Sequence, residues 1–464
     1  MALAIVWTYQ YYMNLKFSVI VLFFLTVSWQ AFAQETWSLD KCVSYAIEHN
    51  LSLNDFEYTE FSNEETFKQS KRDLLPSING YADYFQSFGR AADPNSNIIV
   101  NSDFFANNYS LTASIDLFQG FQKINSIRAS KLIYNASLED VEQQKFLLAF
   151  RVMKAYYDIK FFEGLLVISQ EQLQISRDNF NLVKRQVELG LKAGADVYEA
   201  ESLLLTDELA LTQSENNFQK AQLQLIQEMN LIGESTIFLE PFFRDKVETE
   251  LGVTVVQQDS VYNNAMSFIP IIKAEKLRAV AARKQLAVAR GNLYPSLSLV
   301  AGYGTGYFET FINDAGIVIP FREQIKNNAS KYVGLALNIP IFNGWSARSR
   351  VKQQKIEILR ADNNLDLQEQ QLYLVIQQLI QDYTSLEVEK AQSAKKVQAQ
   401  ELAFTIAQKR YDKGLVSVLD LTQAKNLFAT AQNENLQVLL RFYLNKSTLD
   451  FYNGLPVFNI NQNN

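Results

Sequence analysis

Cysteine and histidine are almost absent from this chain: 464 residues hold one of each, Cys42 and His49. One cysteine cannot close a disulfide within the chain. With one histidine beside it there is no zinc ligand set and no Cys–His catalytic pair. His49 falls near a helix break and reads as an ordinary polar residue, and Cys42 as a buried structural one. Acidic residues outnumber basic ones, 50 to 43, giving a formal charge of −7 that argues against a nucleic-acid partner. After residue 33 no apolar run reaches the roughly 20 residues that a transmembrane helix needs. That excludes a helical span but not a transmembrane β-barrel, whose strands carry a weaker signal. The run Gly302-Tyr-Gly304-Thr-Gly306 does not open a helix, so it fails as a phosphate loop and reads as strand glycines that relieve crowding. Nothing here implies a cofactor, a metal or an enzyme.

Helix breakers are also scarce, and where they are missing two rods appear. Trp345 to Lys413 contains neither Gly nor Pro, and Phe121 to Leu189 contains only Gly164. Each would form a helix roughly 100 Å long. Leu372, Ile376, Leu379, Tyr383 and Leu386 recur at 4-3-4-3 spacing, close to a coiled-coil seam. The first rod carries its own stripe in the same register: Leu148, Val152, Ala155, Ile159 and Phe162. The chain therefore reads as two copies of one unit.

Before these units stands an export signal, residues 1–33. Lys16 precedes a short apolar core, and Ala31-Phe32-Ala33 supplies a cleavage site before Gln34; Met13 is a possible true start. The first repeat, 34–255, reads as helix, a strand pair at 77–88 and 109–118, the long helix 121–189, a helix over 196–231 and a linker. The second, 256–455, reads as helix 260–293, strands 295–307 and 332–342, the long helix 345–413 and a helix over 417–453. A tail, 456–464, reads as disordered. Tyr109, Leu111, Ala113, Ile115 and Leu117 alternate with polar residues, giving one greasy and one wet sheet face. Strands of 9–12 residues have membrane-spanning length, yet one chain supplies four, and open sheet edges cannot sit in lipid. A membrane reading therefore requires several copies to share one barrel, and three copies would supply twelve strands.

The ordered set of turns resembles the TolC family of outer-membrane efflux factors over about 35–455. It comprises the opening Leu39-Asp-Lys-Cys-Val-Ser-Tyr-Ala-Ile-Glu-His-Asn50, the helix-to-strand turns Leu75-Pro76-Ser77 and Tyr294-Pro295-Ser296, and the strand-to-helix turns Leu117-Phe-Gln-Gly120 and Ile341-Phe-Asn-Gly344. The tip Arg410-Tyr-Asp-Lys-Gly414 with Asp420, and its copy ending in Gly190 and Asp196, complete it. The resemblance implies an α+β membrane protein: a homotrimer with a 12-stranded outer-membrane β-barrel, continued by a periplasmic α-helical barrel of coiled-coil hairpins. It implies an exit duct for a tripartite efflux pump or type I secretion system in a Gram-negative outer membrane. Its partners would be a periplasmic adaptor and an inner-membrane transporter of RND or ABC type. It assigns a periplasmic gate to Asp196, Tyr411 and Asp420, and adaptor docking to the tip turns at Gly190, Gly194 and Gly414. Val416 stands where some members carry an arginine, and Gln423 where some carry a second aspartate. The gate implied here therefore closes by hydrogen bonds and packing around Tyr411, with no evident cation against its carboxylates. The competing reading is a periplasmic coiled-coil scaffold without a pore, and both aspartates also suit the first turn of a helix.

Overall fold

The computed structural model describes residues 36–92, 98–101, 103–233, 236–241 and 257–458. The export signal and the end of the tail lie outside these. The first half runs β1 (Thr36–Trp37), α1 (Leu39–His49), α2 (Leu51–Arg72), β2 (Ser77–Ser87), β3 (Arg90–Ala92), β4 (Ile99–Asn101), β5 (Phe104–Gln119), α3 (Gln122–Glu188), α4 (Gly194–Met229) and β6 (Phe238–Leu239). The second runs α5 (Gln258–Phe268), α6 (Pro270–Gly291), β7 (Ser296–Phe308), α7 (Phe321–Asn327), β8 (Ser330–Asn338), α8 (Ser346–Asp412) and α9 (Val418–Tyr452).

Three boundaries differ from the sequence reading, each for a local reason. The helix expected over 260–293 is broken at Ile269, because Pro270 disfavours helical geometry in the residue before it and opens α6 instead. The strand expected over 332–342 stops at Asn338, just before Pro340, which has no N–H to give a ladder. The strand expected over 109–118 begins at Phe104, where polar Asn107 and Asn108 hide the alternation. Nor is the tail disordered from 456: Phe458 is 8% exposed and packs edge-on against Phe150.

β2, β5, β7 and β8 form one antiparallel sheet in that spatial order. Its register sorts the side chains by face. Ile78, Ala113, Ala301 and Val333 line up in one cross-strand row, and Ile115, Leu299 and Leu335 in another. The opposite face carries Asn79, Thr112, Gly302 and Tyr332, then Tyr81, Ser110, Gly304 and Ser330. The Tyr332 ring lies across Gly302, 2.3 Å from where a Cβ would stand, so a larger residue there would have to displace that exposed ring. Both outer strands, β2 and β8, have no strand neighbour on their far sides among the described residues.

Aromatic side chains border the apolar face at both ends. Tyr84, Phe105, Tyr307 and Phe321 form a ladder with ring centroids 5.6, 5.1 and 5.5 Å apart. At the helix end stand Phe118 against Phe121, 5.3 Å apart, with exposed Tyr294, Phe342 and Trp345. From Leu297 to Tyr307 a strand covers about 34 Å, which at a barrel tilt near 40° spans about 26 Å of membrane normal. That matches the roughly 25 Å apolar band of outer-membrane barrels.

The helices form a long sheet-like layer beneath. α3 pairs with α4 and α8 with α9 as antiparallel hairpins, while α3 and α9 meet between them. Nearer the sheet, α2 and α6 flank α3, and α6 also packs on α8. Leu148, Val152, Ala155 and Ile159 of α3 are buried with Leu372 and Ile376 of α8 in the main core. Cys42 belongs to that core, and burial pushes its thiol up to about 12. Each long helix is entered through two consecutive residues with positive φ: Gly120 and Phe121 (56° and 62°), and Gly344 and Trp345 (63° and 66°). Gly120 also lies against α6, where a Cβ would sit 2.5 Å from the Gly291 carbonyl.

Sequence pattern gave no sign of α7. β8 is shorter than β7, so the last residues of β7 have no strand partner on that side. α7 covers them. Gln324, fully buried, accepts from the Phe308 N–H and donates to the carbonyls of Phe308 and Ile319, at 3.0, 3.0 and 2.7 Å. Asn328 donates to the Gly306 carbonyl at 2.8 Å. Gln324→Leu keeps the packing but strands these backbone groups, at ~1–3 kcal/mol each. Amide hydrogen exchange in peptides covering Phe308 should then speed up while β5 exchange stays unchanged; unchanged exchange at Phe308 would show that α7 is not an edge cap.

Candidate functional site at the hairpin tips

The tips are built from two matching helix stops. At the end of α3 the Gly190 N–H donates to the Val187 carbonyl at 2.9 Å, and the Leu191 N–H to Gln186 at 2.8 Å. At the end of α8 Gly414 donates to Tyr411 at 2.8 Å, and Leu415 to Arg410 at 2.9 Å. This is the Schellman arrangement, and it requires the left-handed φ of 71° and 70° at Gly190 and Gly414. In that motif the residue after the glycine usually packs back on its helix. Here Leu191 and Leu415 are 72% and 70% exposed, so each tip presents a bare leucine to solvent. Gly194 has a different place: it is the first residue of α4, with open space around it.

The two aspartates occupy equivalent positions in the first turns of α4 and α9. Asp196 accepts from the Ala193 N–H at 3.1 Å. Asp420 closes a full capping box: Ser417 donates to it through its N–H at 3.0 Å and its hydroxyl at 2.7 Å, while the Asp420 N–H donates back to Ser417 Oγ at 3.2 Å. The Ser417 hydroxyl, and then its N–H, hold the Asp420 carboxyl below the usual carboxylate range.

Tyr411 is buried at 7% exposure, and its phenol oxygen accepts from Lys192 Nζ at 3.2 Å. The same ammonium lies 4.9 Å from the Tyr411 ring centroid. Lys192 belongs to the turn between α3 and α4, so this contact ties the tip of one hairpin to the last helical turn of the other. The structure thus brings Tyr411 together with Lys192 and turns each aspartate to its own helix start. Lys192 also supplies a cation where the sequence reading found none. Its only sequence signal was a basic residue two places after Gly190, which by itself shows no direction.

A second polar contact joins the hairpins higher up. Lys425 of α9 donates to Ser176 of α3 at 2.8 Å and pairs with Asp207 of α4, to which Ser176 also donates. Periodicity gives this lysine no distinction from a solvated one.

The family model described as outer membrane efflux protein matches residues 42–231 and 261–454. Nodulation protein T of Rhizobium leguminosarum bv. viciae is 22% identical over 332 residues, covering 70% of this chain and 64% of its own length. The toluene efflux pump outer membrane protein TtgC of Pseudomonas putida is 23% identical over 380 residues, covering 79% and 72%. The chain thus spans a little under two thirds of the first of these relatives. The crystal structure of the Campylobacter jejuni CmeC outer membrane channel superposes with a TM-score of 0.75 at 16% identity, over 91% of this chain and 90% of that one.

The capping geometry has a titration consequence. A carboxylate whose folded value is depressed keeps its cap at neutral pH and loses it only as pH falls through that depressed value. Asp420, followed by its side-chain carbon NMR signal, should titrate below the ordinary value of about 3.9. Ser417→Ala should move the midpoint up toward that value; no movement would mean Ser417 is not the cause.

Proposed function

Because this chain belongs to the outer membrane efflux protein family, we propose that three copies form the exit duct of a tripartite efflux pump or type I secretion system. The duct works passively. An inner-membrane transporter of RND or ABC type supplies the energy, and a periplasmic adaptor bridges the two. The observation that carries this reading is the four-stranded sheet with an apolar face, two aromatic borders and two bare edges. Such a sheet fits a bilayer only if β8 of one copy pairs with β2 of the next, closing a 12-stranded barrel. A pore-free scaffold would leave the whole apolar face in water.

The helical layer supports the same closure. Its edges near the tips are α4 and α8. α4 exposes Tyr198, Leu205 and Leu209, and α8 exposes Leu402 and Ile406. In a closed trimer these stripes face each other across each boundary between copies, and the two 67-residue helices of every copy become staves of one duct.

The tips then form the periplasmic mouth. By symmetry Asp196, Tyr411 and Asp420 each recur three times around the axis. Converging carboxylates focus a negative potential and enrich cations. Lys192 offsets part of that charge and holds Tyr411, so hydrogen bonding and cation–π contact keep the mouth shut. The bare Leu191 and Leu415, set by the turns at Gly190, Gly194 and Gly414, offer the adaptor a rigid apolar landing point.

Planar-bilayer recording tests the mouth. Asp196→Asn with Asp420→Asn keeps the caps' acceptors and removes the charge, and should lower cation preference. Tyr411→Phe breaks the bond to Lys192 and should raise open probability several-fold, about 1 kcal/mol by a typical hydrogen bond. Conductance and selectivity indifferent to both would place these side chains away from the constriction.

A further inference from the structure

The two long helices begin with charge of the wrong sign for a helix start. α3 has no acidic residue before Glu139 and α8 none before Glu357. Yet Lys123, Arg128 and Lys131 stand in the first three turns of α3, and Arg348, Arg350, Lys352 and Lys355 in those of α8. Cations there oppose the helix dipole. The tips of the same chain obey it, with Asp196 and Asp420 in the first turns of α4 and α9. The whole chain carries a formal charge of −7, so the surplus at the sheet end is local. It is also unneutralised. Farther along the rods cations pair with carboxylates, as in Lys145–Glu142, Lys154–Asp158 and Arg360–Glu357. Arg128, Lys131, Arg348, Lys352 and Lys355 are exposed and form no salt bridge among the described residues.

The sheet shows which way these cations face. Phe118 pairs with Leu297 in the register that continues Leu299 and Ala301, so it lies on the apolar face, and its ring meets Phe121 edge-on. Phe121 therefore marks the apolar side at the start of α3. Arg128 follows seven residues later, two helical turns along the same stripe, with Lys131 beside it. Lys123 points the other way, to Asp116 on the wet face, 2.9 Å distant. Trp345 opens α8 from the same left-handed backbone pair. The Arg348 guanidinium lies 4.5 Å from its ring centroid. Lys352 and Lys355 stand seven residues beyond Trp345 and Arg348 on that stripe. Next to Trp345 opens a notch of about 300 Å³ with Phe342 and Trp345 on its apolar side and Asn292, Asn343 and Arg348 on its polar side.

We propose that Arg128, Lys131, Arg348, Lys352 and Lys355 form a basic belt that binds phospholipids of net negative headgroup in the membrane leaflet next to the helices, with Arg348 and the notch taking one phosphate directly. This rests on the bilayer placement of the sheet argued above and adds a lipid preference to it. The depth fits. Arg128 and Lys352 lie about 10 Å along their helices from Phe121 and Trp345, and the headgroup layer is roughly 5–8 Å thick. Helical side chains lean toward the helix N-terminus, here back toward the sheet, and long cationic stems extend that reach. A Debye length near 8 Å covers the remainder. The chemistry fits as well: a guanidinium fork grips a phosphodiester through two hydrogen bonds, while its hydrocarbon stem and the adjacent indole lie against acyl chain. Anionic headgroups also supply the negative charge that both helix starts lack, which accounts for cations placed against the dipole.

Trp345 reports the test. With Trp37→Phe it is the one tryptophan beyond residue 33. The full-length protein is reconstituted in phosphatidylcholine vesicles holding a fixed fraction of brominated lipid, either phosphatidylglycerol or phosphatidylcholine. The glycerol lipid should quench Trp345 as though bound about fivefold more tightly, the factor that one cation near an anionic surface supplies. Arg348→Gln with Lys352→Gln and Lys355→Gln should bring that preference close to one, and 0.5 M salt should weaken it in the unsubstituted chain. Lys409→Gln, at the far end of the same helix, should leave it unchanged. Because the three cations oppose the dipole, the triple variant should melt no lower than the unsubstituted chain in non-ionic detergent; a lower midpoint would show that they serve the fold. Equal quenching by both lipids, or a preference that survives the triple substitution, overturns the belt and leaves its charge to an acidic protein partner. Bilayer conductance of the same preparations keeps the two readings apart. Conductance with equal quenching retains the duct without the belt, whereas no quenching by either lipid puts Trp345 outside the bilayer and refutes the membrane reading with it.

Discussion

The backbone groups along the free edges of β2 and β8 constrain everything else in this molecule. Each edge carries a row of N–H and C=O groups with no strand beside it among the described residues. The apolar face between them commits the sheet to lipid, and lipid offers those groups nothing. Only another copy of the same sheet can satisfy both edges at once. In the proposed trimer that requirement is met by a shared barrel, with α4 of one copy set against α8 of the next beneath it. α7 fits the same logic on a smaller scale: where β8 is too short to cover β7, Gln324 and Asn328 take up the remaining backbone groups.

The junction between sheet and rods carries the constraint downward. Each long helix starts from a pair of left-handed residues, a glycine and a bulky aromatic, placed directly after β5 in one case and separated from β8 by five residues in the other. A non-glycine residue in that region costs roughly 1–2 kcal/mol. The strain is offset by what it achieves, a sharp turn that sets each rod beneath the sheet and leaves Phe121 and Trp345 exposed where sheet and helices meet. At the far end Gly190 and Gly414 make equally fixed turns. Each rod is thus bounded at both ends by a turn of fixed geometry.

The parts of this fold legible in sequence are those governed by local rules. The absence of Gly and Pro between 345 and 413 defined α8 to within a residue of its ends, because nothing in that stretch can stop a helix. The tip glycines were legible because a left-handed stop has few other solutions. Strand ends were less so: β8 stops before Pro340, and β5 runs back through Asn107 and Asn108, where pairing overrides alternation. The polar contacts between hairpins were not legible at all. Lys192 and Lys425 look like any surface lysine until the fold sets Tyr411 beside one and Asp207 beside the other. Asp196 and Asp420 show the opposite case. Their helix-capping role follows from local sequence and is what their hydrogen bonds display; any role at a mouth arises from symmetry.

Copies of the sheet that satisfy one another's edges cannot separate in detergent without exposing them, so the mass of the purified protein in mild detergent measures the pairing directly. With circular dichroism confirming that strands persist, native mass spectrometry should show three chains and no stable monomer. A single chain of intact β-content would contradict it, since its bare edges would then be stable in an apolar medium without a partner.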